Sequence, residues 1–228
     1  MSSNQLPSLA RSNISDEVYQ ILKDRIIRNQ FSPGERLNLD EIQTQLGISR
    51  TPLMNALTLL SAEGLTEIKP RQGTFVTNPT LVEIAENFDV RRVLEMYALS
   101  LAVPRLTEAE LQHIKKTVKE LESMLEAENW EEIYPDYVSL DEQLHRFIMR
   151  VSGNKRLGEI WEQVNVHVQM ARFRRLKLAT VLGLGQSEHE EMVKVFEERD
   201  VDRLQQIMGD HIEHAKQLLL EDLSLQET

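Results

Sequence analysis

The chain of 228 residues has no cysteine. Disulfides, thiolate zinc sites, iron–sulfur ligation and thiol nucleophiles are therefore excluded. Turn formers are scarce too. Nine glycines and seven prolines make about 7% of the chain, against a usual level of roughly 12%. That shortage favours helix. No apolar run approaches the roughly 18–20 residues that a membrane span needs. The opening stretch MSSNQLPSLARSN lacks the apolar core of a signal peptide. No membrane partner and a cytoplasmic location are the expectations.

What is present is unevenly charged. The net charge is −11, which by itself argues against nucleic acid. Residues 1–78, however, hold eight basic and eight acidic side chains, and residues 79–228 hold 18 and 29. The whole excess of negative charge thus lies in the second part. A neutral first part can carry a local basic face while an acidic second part stays away from phosphates.

The stretch Val76-Thr77-Asn78-Pro79-Thr80 reads as a junction, since Pro79 biases Asn78 toward extended backbone and Thr80 can cap a helix. Before it, a helix is predicted from about Ser15 to Asn29. Leu39, Ile42 and Leu46 mark a short second helix. After the corner Gly47-Ile48-Ser49, a third carries Leu53, Ala56, Leu57 and Leu60 at helical spacing. Ser49 is placed to cap it, and Pro52 falls in its first turn. Leu65–Lys69 and Thr74–Thr77 read as two short strands around Pro70-Arg71-Gln72-Gly73. Three helices with a tight corner and a two-stranded ribbon follow the winged helix-turn-helix plan.

If the apolar stripe of the third helix is buried, Thr51, Asn55 and Thr58 share its outer face. Such side chains suit base edges, and asparagine can pair bidentately with adenine. Arg50 suits a phosphate, and Arg71 a phosphate or the minor groove. A small helical domain with an ordinary polar face has the same pattern.

The blocks PGERL (Pro33–Leu37), LGISRTPLMNAL (Leu46–Leu57), SAEGL (Ser61–Leu65) and PRQGTFV (Pro70–Val76) resemble the GntR family of bacterial transcription regulators, in order and at the family's spacing. The resemblance implies a role in DNA binding for Arg50, Arg71 and Gly73. It also exposes departures. Met54 and Asn55 stand where the family usually has arginine and glutamate. Asp40 falls near a second base-reading arginine of some members. The operator is then expected to differ from the family's usual one, or to be bound less tightly.

The second part reads as about six long amphipathic helices: Leu81–Val103 (with Asn87 as a possible break), Glu108–Ala127, Trp130–Val151, Arg156–Leu178, Glu188–Arg199 and Val201–Leu220. Ser152-Gly153-Asn154 and Gly183-Leu184-Gly185 are turn signals between them. The expected fold is mainly α, an N-terminal winged helix-turn-helix followed by an all-α bundle. Residues 1–13 and 222–228 read as tails, 14–77 and 81–221 as domains, and 78–80 as linker.

Asp141 and His145, four apart, share a helix face. Six histidines among 37 acidic residues give about one such pair by chance, so spacing alone decides nothing. Further blocks do more: VRRVLE (Val90–Glu95), the Asp–His pair, an EH opening a later helix and M-x-x-H-I (Met208–Ile212) resemble the ligand-binding domain of the FadR subfamily. The resemblance implies a metal held by Asp141, His145, His189 and His211. One carboxylate and three imidazoles suit zinc, nickel, iron or manganese.

Arg91 matches a frequent arginine of the subfamily and is the expected effector-binding residue; an i,i+4 ion pair with Glu95 is its other reading. One arginine of the run ARFRRLK is a further candidate to point inward. His214 reads as a surface or supporting residue.

The expected function is a metabolite-responsive, homodimeric regulator that binds a palindromic operator, a divalent metal and a small carboxylate effector, and is not an enzyme. A sensor without DNA binding and a metal-dependent hydrolase are the alternatives. The hydrolase would need a general base beside the metal, and no H-E-x-x-H motif supplies one.

Overall fold

The computed structural model describes residues 14–125, 130–174 and 182–226. The predicted N-terminal tail, the ends near Ala127 and Leu178 of two predicted helices, Arg175 and the last two residues lie outside the described residues. Two compact units share the chain, residues 30–77 with those before 27 in one and residues from Asn78 onward with 27–29 in the other.

The first unit holds α1 (Ile14–Ile27), α2 (Leu39–Leu46), α3 (Arg50–Ala62), β1 (Thr66–Lys69) and β2 (Gly73–Val76). Val18, Leu22 and Ile26 of α1, Leu53, Ala56, Leu57 and Leu60 of α3, and Ile42 and Leu65 are all buried. Gly47 ends α2 with φ +64°, a left-handed conformation that glycine adopts without strain. Ser49 occupies the N-cap position of α3 with extended backbone, but its side chain makes no capping hydrogen bond. β1 and β2 pair antiparallel, Thr66 opposite Val76 and Lys69 opposite Gly73. Arg71 turns the ribbon at φ +63°.

The second unit holds α4 (Leu81–Ala102), a one-turn 3-10 helix (Val103–Arg105), α5 (Glu108–Leu125), α6 (Trp130–Val151), α7 (Lys155–Arg172), α8 (Leu182–Glu198) and α9 (Val201–Gln226). α4 begins with a reciprocal cap: Glu83 N–H donates to Thr80 Oγ1 and Thr80 N–H to the Glu83 carboxylate. Such caps stabilise a helix by about 1 kcal/mol. α4 packs against α6, α7 and α9, and α5 against α6 and α8. Phe88, Leu99, Tyr137, Val138, Phe196 and Met208 lie in the shared core.

Three boundaries differ from the sequence expectation. α4 runs unbroken through Asn87, whose Nδ2 donates to Glu83 O instead of interrupting the helix. Gly183–Gly185 lie inside α8, so the expected turn is absent there. α9 continues to Gln226 through much of the predicted tail, because Leu219 and Leu223, four apart, are both buried.

Candidate metal centre and nucleic-acid interface

Asp141 and His145 project from one face of α6, His189 from α8 and His211 from α9. All four are buried, and one ligand atom from each lies within 4.8 Å of the others. His189 Nε2 is 3.2 Å and His145 Nε2 3.7 Å from Asp141 Oδ1. The imidazole rings of His189 and His211 lie 4.5 Å apart between centroids.

The groups behind these ligands set their protonation. Burial alone would raise Glu95, but the charges of Arg91 and His145 hold its carboxyl far below the usual range. It is therefore an acceptor, and the 2.5 Å contact of His145 Nδ1 with Glu95 Oε2 makes Nδ1 the donor. Glu188 is likewise held low, against its burial, by the bond from His211. His211 Nδ1 donates to it over 2.8 Å. Burial and the neighbouring His189 push His211 down to about 4. His211 is thus neutral at pH 7, with its lone pair on Nε2.

Asp141 is held well below its usual value: burial opposes ionisation, but Arg172 outweighs it, with NH1 donating to Oδ2 over 2.5 Å. For His145, burial favours the neutral ring, yet the charge of Glu95 leaves the pKa raised in the metal-free protein.

These residues fit a metal ion. His145 Nε2 and both ring nitrogens of His189 are buried without a hydrogen-bond partner among the described residues. An unsatisfied buried polar atom typically costs about 1–3 kcal/mol. A coordinated cation would satisfy His145 Nε2 and one of the two His189 nitrogens, beside the Asp141 carboxylate.

In the other unit, Arg50 opens α3, and Thr51, Asn55 and Thr58 are exposed along it. Thr58 Oγ1 donates to Met54 O, which leaves its oxygen free to accept. Asn55 Nδ2 donates to Ser15 Oγ at 3.5 Å, a contact weak enough to exchange for a base. A groove of about 440 Å³ is lined by Arg36, Asn38, Asp40, Arg50, Gly73 and Thr74.

The comparisons with known proteins agree with this division. Residues 14–76 match the model "Bacterial regulatory proteins, gntR family", and residues 86–214 match the FCD domain. The chain belongs to the GntR family of transcription regulators, of the FadR type with an FCD domain.

It is 28% identical over 156 residues to the uncharacterized HTH-type transcriptional regulator YdhC of Bacillus subtilis (strain 168), covering 68% of each chain. It is 19% identical over 204 residues to the HTH-type transcriptional repressor RspR of Escherichia coli (strain K12), covering 90% of this chain and 88% of the other. Its fold is similar to that of E. coli McbR/YncC, with TM-score 0.80 and 21% identity over 92% of this chain and 99% of that one. This GntR-family chain is accordingly a DNA-binding transcription regulator with an effector-binding FCD domain, and not an enzyme.

Arg91, the residue that the sequence offers for the effector, has a side chain 4% exposed, with Nε donating to Glu95 Oε1 over 2.5 Å. The other reading of Arg91, the i,i+4 ion pair, describes the geometry: a guanidinium buried this deeply needs a carboxylate partner. Among the described arginines of the ARFRRLK run, Arg172 reaches Asp141.

Four supporting residues went unread in the sequence. Glu95 closes the VRRVLE block and was in view only as a partner for Arg91, and Glu188 opens the EH block without a partner. Trp161 Nε1 donates to Glu95 Oε1 over 2.8 Å, which no spacing signals. Arg36 sits inside PGERL, and only the fold carries it beside Arg50 and Gly73.

Proposed function

We propose that the FCD domain of this regulator binds a divalent metal ion through Asp141, His145, His189 and His211 and, beside it, a small mono- or dicarboxylate effector. The observation that carries this reading is the set of inward nitrogens. His211 spends Nδ1 on a carboxylate, as does His145, while His145 Nε2 and the His189 ring nitrogens have no hydrogen-bond partner among the described residues and lie beside Asp141. Zinc, nickel, iron and manganese all suit three imidazoles and a carboxylate. The bound ion would supply positive charge and free coordination positions to an acid.

Arg172 takes the effector role expected of Arg91. Its Nη1 holds Asp141, and its side chain is 16% exposed. Remaining donors of its planar fork suit a second carboxylate. The test is a thermal-shift screen of small organic acids on zinc-loaded, metal-stripped and Arg172→Ala protein. Small hydroxy acids should stabilise only the first. Equal stabilisation of all three sinks the reading.

On the DNA side we infer that Arg50, Arg71 and Arg36 contact phosphates, that Gly73 lets the ribbon approach the duplex, and that Thr51, Asn55 and Thr58 face base edges. Arg36 supplies positive charge where Met54 and Asp40 replace the arginines usual in the family. The regulator acts as a homodimer on a palindromic operator, since a two-fold protein presents two recognition helices to a two-fold site. Support for a dimer surface comes from α4. Val82, Val90, Val93 and Tyr97 are 66, 45, 68 and 52% exposed. They fall within about 80° of arc at 100° per residue. Retention of a genomic DNA fragment over random DNA at moderate salt tests operator binding, and no preference at all overturns it.

A further inference from the structure

We propose that Glu95 is the positioning residue of the metal centre: it fixes His145 as the Nδ1–H tautomer, so that Nε2 is the ligating nitrogen, and holds the ring from α4 and α7. The inference rests on the metal reading of the Asp141–His145–His189–His211 cluster and deepens it.

Glu95 is completely buried. Its two oxygens are divided among three donors. Oε1 accepts from Arg91 Nε at 2.5 Å and from Trp161 Nε1 at 2.8 Å, and Oε2 accepts from His145 Nδ1 at 2.5 Å. Arg91 comes from α4 itself, Trp161 from α7 and His145 from α6. A guanidinium and an indole N–H can only donate, so Oε1 is fully committed as an acceptor. Oε2 is left to accept the hydrogen bond from His145 Nδ1–H.

The orientation of the ring follows. Turning the imidazole over would place carbons where Nδ1 and Nε2 now stand. That would break the bond to Glu95 and withdraw the nitrogen that faces Asp141. Carboxylates that receive the second N–H of a ligating histidine fix its tautomer and raise its basicity, and removing them typically weakens metal binding by about 10–100-fold. Here the carboxylate is itself clamped, so His145 is oriented before any metal arrives.

The obvious variant, Glu95→Gln, leaves the Arg91 charge buried and unpaired, which can cost the fold. The double variant Arg91→Met/Glu95→Gln removes both charges together. Trp161→Phe removes one bond to Oε1 and leaves the His145 contact in place.

The experiment titrates zinc into the full-length proteins against a chromophoric chelator, and records long-range proton–nitrogen spectra of zinc-loaded, nitrogen-15 histidine-labelled protein. The wild type should bind zinc with His145 protonated on Nδ1 and ligated through Nε2. The double variant should bind about 10–100-fold more weakly and show His145 in mixed tautomers, because a glutamine amide can either donate or accept. Trp161→Phe should stay within a few-fold of wild type.

A folded double variant with wild-type affinity overturns the role of Glu95, as does a wild-type His145 ligated through Nδ1. If the double variant does not fold, the wild-type tautomer alone decides. A wild type that binds no zinc, nickel or manganese overturns the metal reading itself, and the role of Glu95 with it.

Discussion

The guanidinium of Arg36 lies over Gly73: a Cβ built on that glycine would come within 2.8 Å of Arg36 Nε. Gly73 also has φ +126°, where side-chain-bearing residues are strained. Gly73→Ala should therefore destabilise the ribbon by at least about 1 kcal/mol and displace the Arg36 head. Operator affinity, measured by fluorescence anisotropy, should fall in Gly73→Ala and in Arg36→Ala. Unchanged affinity in both would remove this groove from the DNA interface.

Arg36 and Arg50 should behave alike in salt. Each phosphate contact releases about one counterion, so Arg36→Ala and Arg50→Ala should each flatten the slope of log K against log salt by about one unit. Both losses should be alike for operator and random DNA. Asn55→Ala should differ, relaxing preference at one base position with the slope unchanged. An arginine variant that alters base preference but not the salt slope would reassign that residue to base reading.

Metal removal has a definite sign. A ligand that binds only the folded state stabilises it by about 2.7 kcal/mol at one hundred times its dissociation constant. Chelator-stripped protein should thus melt lower than zinc-loaded protein in calorimetry. His189→Ala should show low metal content and no rise on zinc addition. A His189→Ala protein with wild-type metal content would exclude His189 as a ligand.

A pH dependence is built into the DNA-binding unit. Tyr19 Oη donates to Glu63 Oε1 at 2.5 Å, and Lys23 Nζ donates to both Tyr19 Oη and Glu63 Oε2 at 2.8 Å. Burial raises Tyr19, and its bond to Glu63 raises it further. Burial lowers Lys23, but the bonds to Glu63 and Tyr19 win, and its pKa is raised as well. Both groups hold their protons more tightly in the folded state. Their contribution is full below about pH 10, where the free side chains are protonated, and is lost as pH rises through the folded values. The melting temperature of this unit should fall above about pH 10, more steeply in the wild type than in Glu63→Gln. Parallel pH profiles would show that the triad contributes nothing.

The exposed face of α4 gives a fifth test. Val93 is 68% exposed in the single chain, so Val93→Asp should leave the fold of the protomer intact. Placed at an apolar dimer surface, the buried charge should shift sedimentation velocity profiles toward monomer and weaken operator binding. A stable dimer in Val93→Asp and in Tyr97→Asp would move the interface elsewhere.

Local periodicity carried most of the fold. The spacing of Leu53, Ala56, Leu57 and Leu60 announced which side of α3 is buried, and hence that Thr51, Asn55 and Thr58 are exposed. The Thr80 cap was legible because a capping box needs only four consecutive residues. Glycines misled at one place: a turn was expected at Gly183–Gly185, and α8 runs through it.

For the site, residue types and family spacing pointed to Asp141, His145, His189 and His211, whereas their approach within 4.8 Å belongs to the packing of α6, α8 and α9. The partners of those residues were out of reach. Glu95 meets His145 fifty positions away, and Arg172 meets Asp141 thirty-one away. The contact of Arg172 with Asp141 likewise belongs to packing, while Arg91 and Glu95 pair within one helix. The sequence by itself determined helix, ribbon, junction and the kinds of ligand, because these depend on side-chain chemistry and on neighbours within a turn or two. Tertiary structure alone decided which nitrogen is free, which carboxylate is spent and which charge is paired, because hydrogen bonds and ion pairs form between surfaces that meet only when the helices pack.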